Sequence, residues 1–460
     1  MNTKSLKSLA LVVATAALAG LVPSVTGCSG AEGGGAEPTS TGSVSEALSP
    51  EGTPTAMERM KRLGLTDMRG IAYDPGPAAD ANGKYGFTPS DFVEVPEHTE
   101  RKYTIYNDSD FANADFSSLW GKGPDGNGRD DLRRFKEELN VNFVTLYDWN
   151  AGSDAIPQMR DHQAFFNYAD SLGIKVTASV SDWIRREQLC SSDAARRAEG
   201  YRGVERIAAE IYPDGKPLGG AGMIKIFNEP ENQSACPQWA SLVAESIATI
   251  QAQENALGVA EADRLPIFVP TTFGITNGIP GGVMSDIHDK IVAHPKLGEG
   301  FWKSRMVIAV NPFNEGFFMK TWLETTLPKF ETAHGIPTDT PVIFTEYGKS
   351  SGELGNDVNK QAAWVDEQFQ AMKKHPTPSF LGTVAFVNQV RPWLSGTEVG
   401  FGLLEFDGNG GSWSYPSENY LAKVTYKNPN GGGNKWDGAY PVQRQTPRPA
   451  YGKVADAYKR

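Results

Sequence analysis

Eight short apolar or β-branched stretches recur along the chain, most followed by a loop and then by a segment of helical periodicity. Parallel strands joined by crossover helices read this way, because a strand covered on both faces by other elements is apolar along its whole length. The stretches are residues 70–73, 141–147, 174–180, 223–227, 267–270, 306–310, 342–345 and 382–387. Between them, residues 130–139 place Leu132, Phe135 and Leu139 on one helix face behind an acidic start. Residues 158–172 end at Gly173 and residues 240–257 at Gly258, each glycine standing where a left-handed C-cap is expected. Eight such units predict a (β/α)8 TIM barrel in one domain, since a doubly wound sheet leaves the count of eight unexplained.

The barrel is expected over residues 51–460, with two excursions longer than ordinary loops. Residues 74–128 interrupt the first unit and carry two candidate hairpin strands, at 92–95 and 101–106. Residues 395–449 are rich in Gly, Asn, Trp and Tyr and lack helical periodicity, so they read as an elaborated last loop before a closing helix at 451–458. The 44 basic and 55 acidic residues leave a formal charge of -11 without a basic block, which excludes a cationic groove for nucleic acid.

Lys4 and Lys7 precede an apolar run from Leu9 to Val22, and small residues then lead to Cys28. This start resembles a bacterial lipoprotein signal, which implies cleavage before Cys28, lipidation of Cys28 and anchorage at a membrane surface. With Ser29 rather than Asp after the cysteine, the resemblance implies the outer membrane or cell surface; a plain signal peptide would leave the chain periplasmic or secreted. Residues 29–50 hold almost no bulky side chain and read as a flexible tether. Cys190 and Cys236 then remain as an even pair, for which a disulfide is expected in an oxidising compartment, the alternatives being two buried thiols or a metal or nucleophilic role.

Glu229 and Glu346 each follow an apolar strand directly, at the barrel face where chemistry collects. The fourth and seventh strands stand across the barrel from one another, so both carboxyls can reach the central mouth. Two carboxyls flanking a sugar are what glycosidic cleavage needs, one protonated to release the leaving oxygen and one ionised to attack or to activate water. The Asn228-Glu229-Pro230 turn and the isolated Glu346 resemble the TIM-barrel clan of retaining glycoside hydrolases. Residues 70–73 and 131–148 further resemble the branch of endo-β-1,3-glucanases and β-1,3-glucanosyltransferases.

The resemblance implies Glu229 as acid/base, Glu346 as nucleophile and Asn228 as the amide on the sugar 2-hydroxyl. It also implies a β-glucan polysaccharide or oligosaccharide as substrate and no cofactor. A glucanosyltransferase with the same residues, or a surface glycan-binding protein without turnover, are the alternatives. The His that many clan members carry after strand six has no counterpart here, and Asn311 or Phe313 stands in its place. Asp148, Asp182 and Tyr347 are further candidates for substrate contact. Aromatic residues beyond the strand ends, Tyr73, Trp149, Trp183, Trp239, Phe313, Trp393 and Trp413, are candidate sugar platforms, with Trp183 and Trp393 preferred. Glu229 is expected to be held protonated by the charge of Glu346. Strict alternation back from Glu229 aims Lys225 into the barrel, which requires either a bulge that shifts the phase or a paired acid. No metal site is expected, because no two of the six histidines stand at ligand spacing, and a monomer is expected.

Overall fold

Eight parallel strands close into a barrel in chain order, as the repeat of apolar stretches predicts. They are β1 (Met68–Ala72), β2 (Phe143–Thr145), β3 (Lys175–Val180), β4 (Ala221–Ile226), β5 (Ile267–Thr272), β6 (Met306–Asn311), β7 (Val342–Tyr347) and β8 (Phe380–Ala385). The computed structural model describes residues 52–76, 92–93, 103–104, 110–149, 162–232, 236–272, 282–374, 377–391, 396–406, 421–424 and 438–459. The export signal, the tether, Cys28, Trp393 and Trp413 lie outside the described residues.

Closure is made by β1, which pairs Gly70 with Val384 of β8 on one side and with Phe143 of β2 on the other. A Cβ at Gly70 would stand 2.6 Å from Val384 Cγ2 and 3.2 Å from the Phe143 ring, so the seam requires glycine. Alternation along the strands separates two apolar layers. Met68, Phe143, Met223, Phe268, Val307 and Ile343 fill the barrel, and Met57 and Met60 of helix α1 (Ala56–Arg62) pack with them. Ile71, Val144, Val176, Ile224, Ile308 and Phe344 face the surrounding helices instead.

The helix read at 130–139 forms as Asp131–Leu139, with Leu132, Phe135 and Leu139 buried. Its acidic start does not cap it: Asp130 has φ 59° and makes no capping hydrogen bond, while Asp131 is buried against Arg129 at 2.7 Å. Gly173 and Gly258 take φ values of +65° and +68°, the left-handed conformation their positions call for. The excursion after β1 contains the expected hairpin, Phe92–Val93 against Tyr103–Thr104. The last excursion is more ordered than its composition suggests: Leu404–Phe406 pairs with Gln445–Pro447, and Leu421–Val424 pairs with Gly438–Pro441.

Two interactions tie neighbouring βα loops together. Cys190 and Cys236 are joined with their Cα atoms 5.6 Å apart, linking the loops after β3 and β4. His162 lies fully buried between two carboxylates, with Nδ1 at 2.7 Å from Glu210 and Nε2 at 3.0 Å from Asp110. Burial opposes its charge, but Asp110 and Glu210 outweigh that cost and push its pKa up to about 10. The three residues come from the excursion after β1, the start of the helix after β2 and the helix after β3, so one imidazolium holds three units.

Cys190→Ser is expected to lower Tm, since closing a loop of 46 residue steps stabilises by about 4 kcal/mol on chain-entropy grounds. A thiol titration in denaturant should register Cys190 and Cys236 only after reduction. His162→Gln leaves two buried carboxylates without their cation and is expected to cost about 3–5 kcal/mol near pH 6. Because the folded pKa is raised, the stabilisation is complete below the unfolded value of 6.5 and is lost as pH rises through about 10. The gap between wild type and variant in urea unfolding should therefore narrow from pH 6 to pH 10.

Candidate active site

The strand geometry of β4 ends at Ile226, and two non-glycine residues beyond it adopt left-handed backbone, Phe227 with φ 56° and Glu229 with φ 46°. In a continuing strand the side chains of Asn228 and Glu229 would point to opposite faces. The left-handed turn brings both to the same cleft. Three hydrogen bonds pin the turn: Phe227 N to Val180 O at 2.9 Å, Asn228 N to Asp182 Oδ1 at 3.2 Å and Glu229 N to Pro270 O at 2.9 Å.

A different irregularity places Glu346. The β7–β8 register passes from Phe344↔Thr383 to Tyr347↔Ala385, three steps on one strand against two on the other, which is a β-bulge at residues 345–346. Thr345 and Glu346 consequently both face inward. Thr345 Oγ1 donates to Asn311 Oδ1 at 2.6 Å, and Glu346 accepts from the Tyr147 hydroxyl at 2.8 Å. Asn311 in turn donates through Nδ2 to Glu229 Oε1 at 2.9 Å, and Asn232 donates to Oε2 at 2.7 Å. A continuous path, Thr345 to Asn311 to Glu229, thus couples the two glutamate positions through β6.

The cleft has a volume of about 530 Å³. Glu229, Glu346, Asn228, Asn311 and Phe313 all line it, so five of the residues read from sequence meet in one place. Asn228 Oδ1 is buried there with no hydrogen-bond partner among the described residues. Burial raises the pKa of Glu229 first, with the charges of Glu231 and Asp182 adding to it and Asn311 and Asn232 opposing. The expected cause, the charge of Glu346, is not the leading one. Burial also raises Glu346, opposed by the Lys225 ammonium, the Tyr147 hydroxyl and Arg391.

As the alternation aims it, Lys225 lies in the barrel with no phase-shifting bulge between it and the end of β4, and the acid that acts on it most strongly is Glu346. Lys225 points into the barrel, donating to Leu146 O at 3.0 Å with its ammonium 4.0 Å from the centre of the Tyr147 ring. Burial lowers its pKa, and Glu346 exerts the largest opposing charge.

Three candidates fall elsewhere. Tyr73 is buried behind the barrel wall, donating to Asp131 at 3.0 Å with its ring 5.9 Å from that of Phe135. Trp149 stacks on His162 at 4.1 Å and donates to Glu210 at 2.6 Å, a core position. Tyr347, the residue after the bulge, turns outward into the layer beneath the closing helix Pro449–Tyr458. Asp182 is held by Arg185 at 2.9 Å and anchors the Asn228 backbone. Asp148, Trp183 and Trp239 are half-buried outside the residues that line the cleft; Trp183 and Trp239 pack against the core.

Among residues not singled out from sequence, Tyr147, Phe386, Phe401, Arg391 and Glu398 line the cleft. Tyr147 continues the inward alternation of Phe143 and Thr145, a signal that was present. Phe313, an expected platform, meets Phe386 and Phe401 edge to face with centroids 5.1 to 5.5 Å apart, forming an aromatic wall. Arg391 donates to Glu398 at 2.8 Å and lies 4.9 Å from the Phe386 ring centre.

No family model and no curated protein matches the chain. Among solved structures, a β-1,3-glucanase and pollen allergen of Cryptomeria japonica is 14% identical, with a TM-score of 0.42 over 60% of this chain and 90% of that one. An enzyme of Alicyclobacillus herbarius is 12% identical, with a TM-score of 0.45 over 76% and 93% of the two chains. A GH2 β-galacturonidase from Eisenbergiella tayi is 10% identical, with a TM-score of 0.39 over 73% of this chain. The match spans 48% of that galacturonidase and 32% of a Parabacteroides merdae β-glucuronidase that is also similar.

Proposed function

We propose that the chain is a retaining glycoside hydrolase that cleaves within a β-glucan, with Glu346 as nucleophile and Glu229 as acid/base. The observation that carries this reading is the convergence of two buried carboxyls on one cleft, in unlike charge environments. Burial raises both pKa values, that of Glu346 to about 8, so the assignment of Glu346 as nucleophile and Glu229 as acid/base follows from the resemblance of their strand-end positions rather than from the charges around them. Glu346 has Lys225, Arg391 and a donating phenol favouring its anion, against burial and the charge of Glu229, which together outweigh them. Glu229 has Glu231 and Asp182 favouring the acid and the amides of Asn311 and Asn232 favouring the anion, with a net shift upward.

In the first step Glu346 attacks the anomeric carbon while Glu229 protonates the departing glycosidic oxygen, leaving a glycosyl ester on Glu346. Glu229, now ionised, removes a proton from water as the water attacks the same carbon, and Glu346 leaves. The buried acceptor Asn228 Oδ1 is suited to the sugar 2-hydroxyl, whose hydrogen bonds strengthen as positive charge grows on the ring. The phenylalanine wall offers an apolar face for a sugar ring. The Cys190–Cys236 bridge supports an oxidising compartment, and with it the reading of Cys28 as an exported, lipid-anchored terminus.

A panel of β-linked glycans, with β-1,3-glucan first, tests the reading. Wild type should release shorter oligosaccharides, and Glu346→Ala should lose at least about a thousandfold in kcat/KM. Proton NMR of the earliest product should show the β-anomer; the α-anomer would mean inversion. Chains longer than the input would indicate glucanosyl transfer, and binding without turnover a glycan-binding protein.

The pH dependence of kcat/KM should be a bell. Activity requires Glu346 ionised and Glu229 protonated, and both pKa values are raised, that of Glu346 to about 8, so both limbs should lie above the ordinary carboxylate value of about 4.5. Glu229→Gln, measured on an aryl glycoside whose leaving group needs no proton, should abolish the basic limb and keep the acidic one.

A further inference from the structure

Outside the cleft, two histidines and an aspartate converge in the outer helix layer. His288 and Asp289 lie on helix Val283–Ala293, which follows β5, and His334 ends helix Leu327–His334, which follows β6. Barrel helices run back toward the strand N-termini, so His334 sits toward the rim opposite the cleft.

The separations suit metal ligands as well as a hydrogen-bonded pair. Nδ1 of His288 is 3.1 Å and Nδ1 of His334 is 3.4 Å from the same Asp289 oxygen, and the ligating atoms all lie within 4.8 Å of one another. Ligands at about 2.0–2.1 Å from a tetrahedral zinc ion stand about 3.3 Å apart. The rings are also fixed in advance. The His288 and His334 centroids are 4.4 Å apart, His288 meets Trp302 edge to face at 4.9 Å, and His334 lies 4.9 Å from Phe330. Ser285 Oγ lies 2.8 Å from His334 Nε2 and can accept its N–H, which leaves the Nδ1 lone pair directed at the cluster.

We propose that His288, Asp289 and His334 bind one divalent transition-metal ion of the zinc class, through two imidazole Nδ1 atoms and an Asp289 carboxylate oxygen. Asp289 is 65% exposed at its side chain, so water completes the coordination. Two nitrogen ligands select zinc, nickel or copper over magnesium or calcium, which prefer all-oxygen shells. The ion ties together the helices behind β5 and β6 across 46 residue steps of chain, a structural role apart from the glutamates.

The test is calorimetric titration of the tag-free chain, stripped with EDTA and desalted, with zinc chloride and with magnesium chloride. About one equivalent of zinc should bind saturably, raising Tm by a few degrees in excess metal, and magnesium should not. Cobalt should give the intense visible bands of a four-coordinate ion. Asp289→Asn and His334→Gln should each weaken zinc binding at least tenfold while glycan turnover stays at the wild-type value. Absence of saturable zinc binding in the wild type overturns the proposal. So does equal affinity in both variants with loss in His294→Gln, which would place the ion at the neighbouring His294–Glu245 pair.

Discussion

The site depends on a buried ammonium. Lys225 has no access to water and is held by one carbonyl oxygen and the face of the Tyr147 ring, contacts that suit a cation. Burying Glu346 just above would by itself drive that carboxyl to its neutral form, and Lys225 supplies the strongest charge against this. The same ring that lies over the ammonium carries the hydroxyl that donates to Glu346. Tyr147 therefore binds both members of the pair, one through its face and one through its edge, while burial still holds the Glu346 pKa up at about 8.

Two departures from regular strand geometry aim the acids. After β4, two left-handed residues bend the chain so that adjacent side chains reach one cleft; in β7, a bulge turns Thr345 and Glu346 to the same side. Left-handed non-glycine residues cost on the order of 1–3 kcal/mol each and persist where surroundings over-determine them. Here the surroundings are backbone hydrogen bonds to Val180 and Pro270 on either side and the Asp182 carboxylate below Asn228. Asp182 is itself locked by Arg185, so a residue first read as a sugar ligand serves as a brace for the turn. The Thr345–Asn311–Glu229 path then fixes the amide orientation, because an Asn311 oxygen that accepts from Thr345 leaves its NH2 group for Glu229.

Around this centre the loops are joined by interactions of long sequence separation. The disulfide fastens the loop that carries the β4 turn to the loop after β3, and His162 fastens the three units that precede. Trp149 belongs to that second network. Its indole donates to Glu210 and its ring covers His162, which draws it away from the mouth even though it follows Tyr147 by only two positions.

Much of this architecture was legible in the amino-acid sequence. The eightfold alternation of apolar stretches and helical segments determined the barrel, because buried parallel strands and amphipathic helices each leave a local compositional trace. It also determined that Glu229 and Glu346 end strands four and seven, and that Cys190 and Cys236 lie on neighbouring loops, since strand order in such a barrel follows chain order. Only the tertiary structure decided where side chains point once the strands end. Sequence alternation predicts facing for as long as the backbone stays pleated; the left-handed turn at 227–229 and the bulge at 345–346 break that period through hydrogen bonds to residues distant in sequence. For that reason Tyr347 faces outward and Asn228 and Glu229 reach one cleft. The cluster of His288, Asp289 and His334 was unreadable for the same reason, because 46 residue steps of chain separate groups that only helix packing brings together.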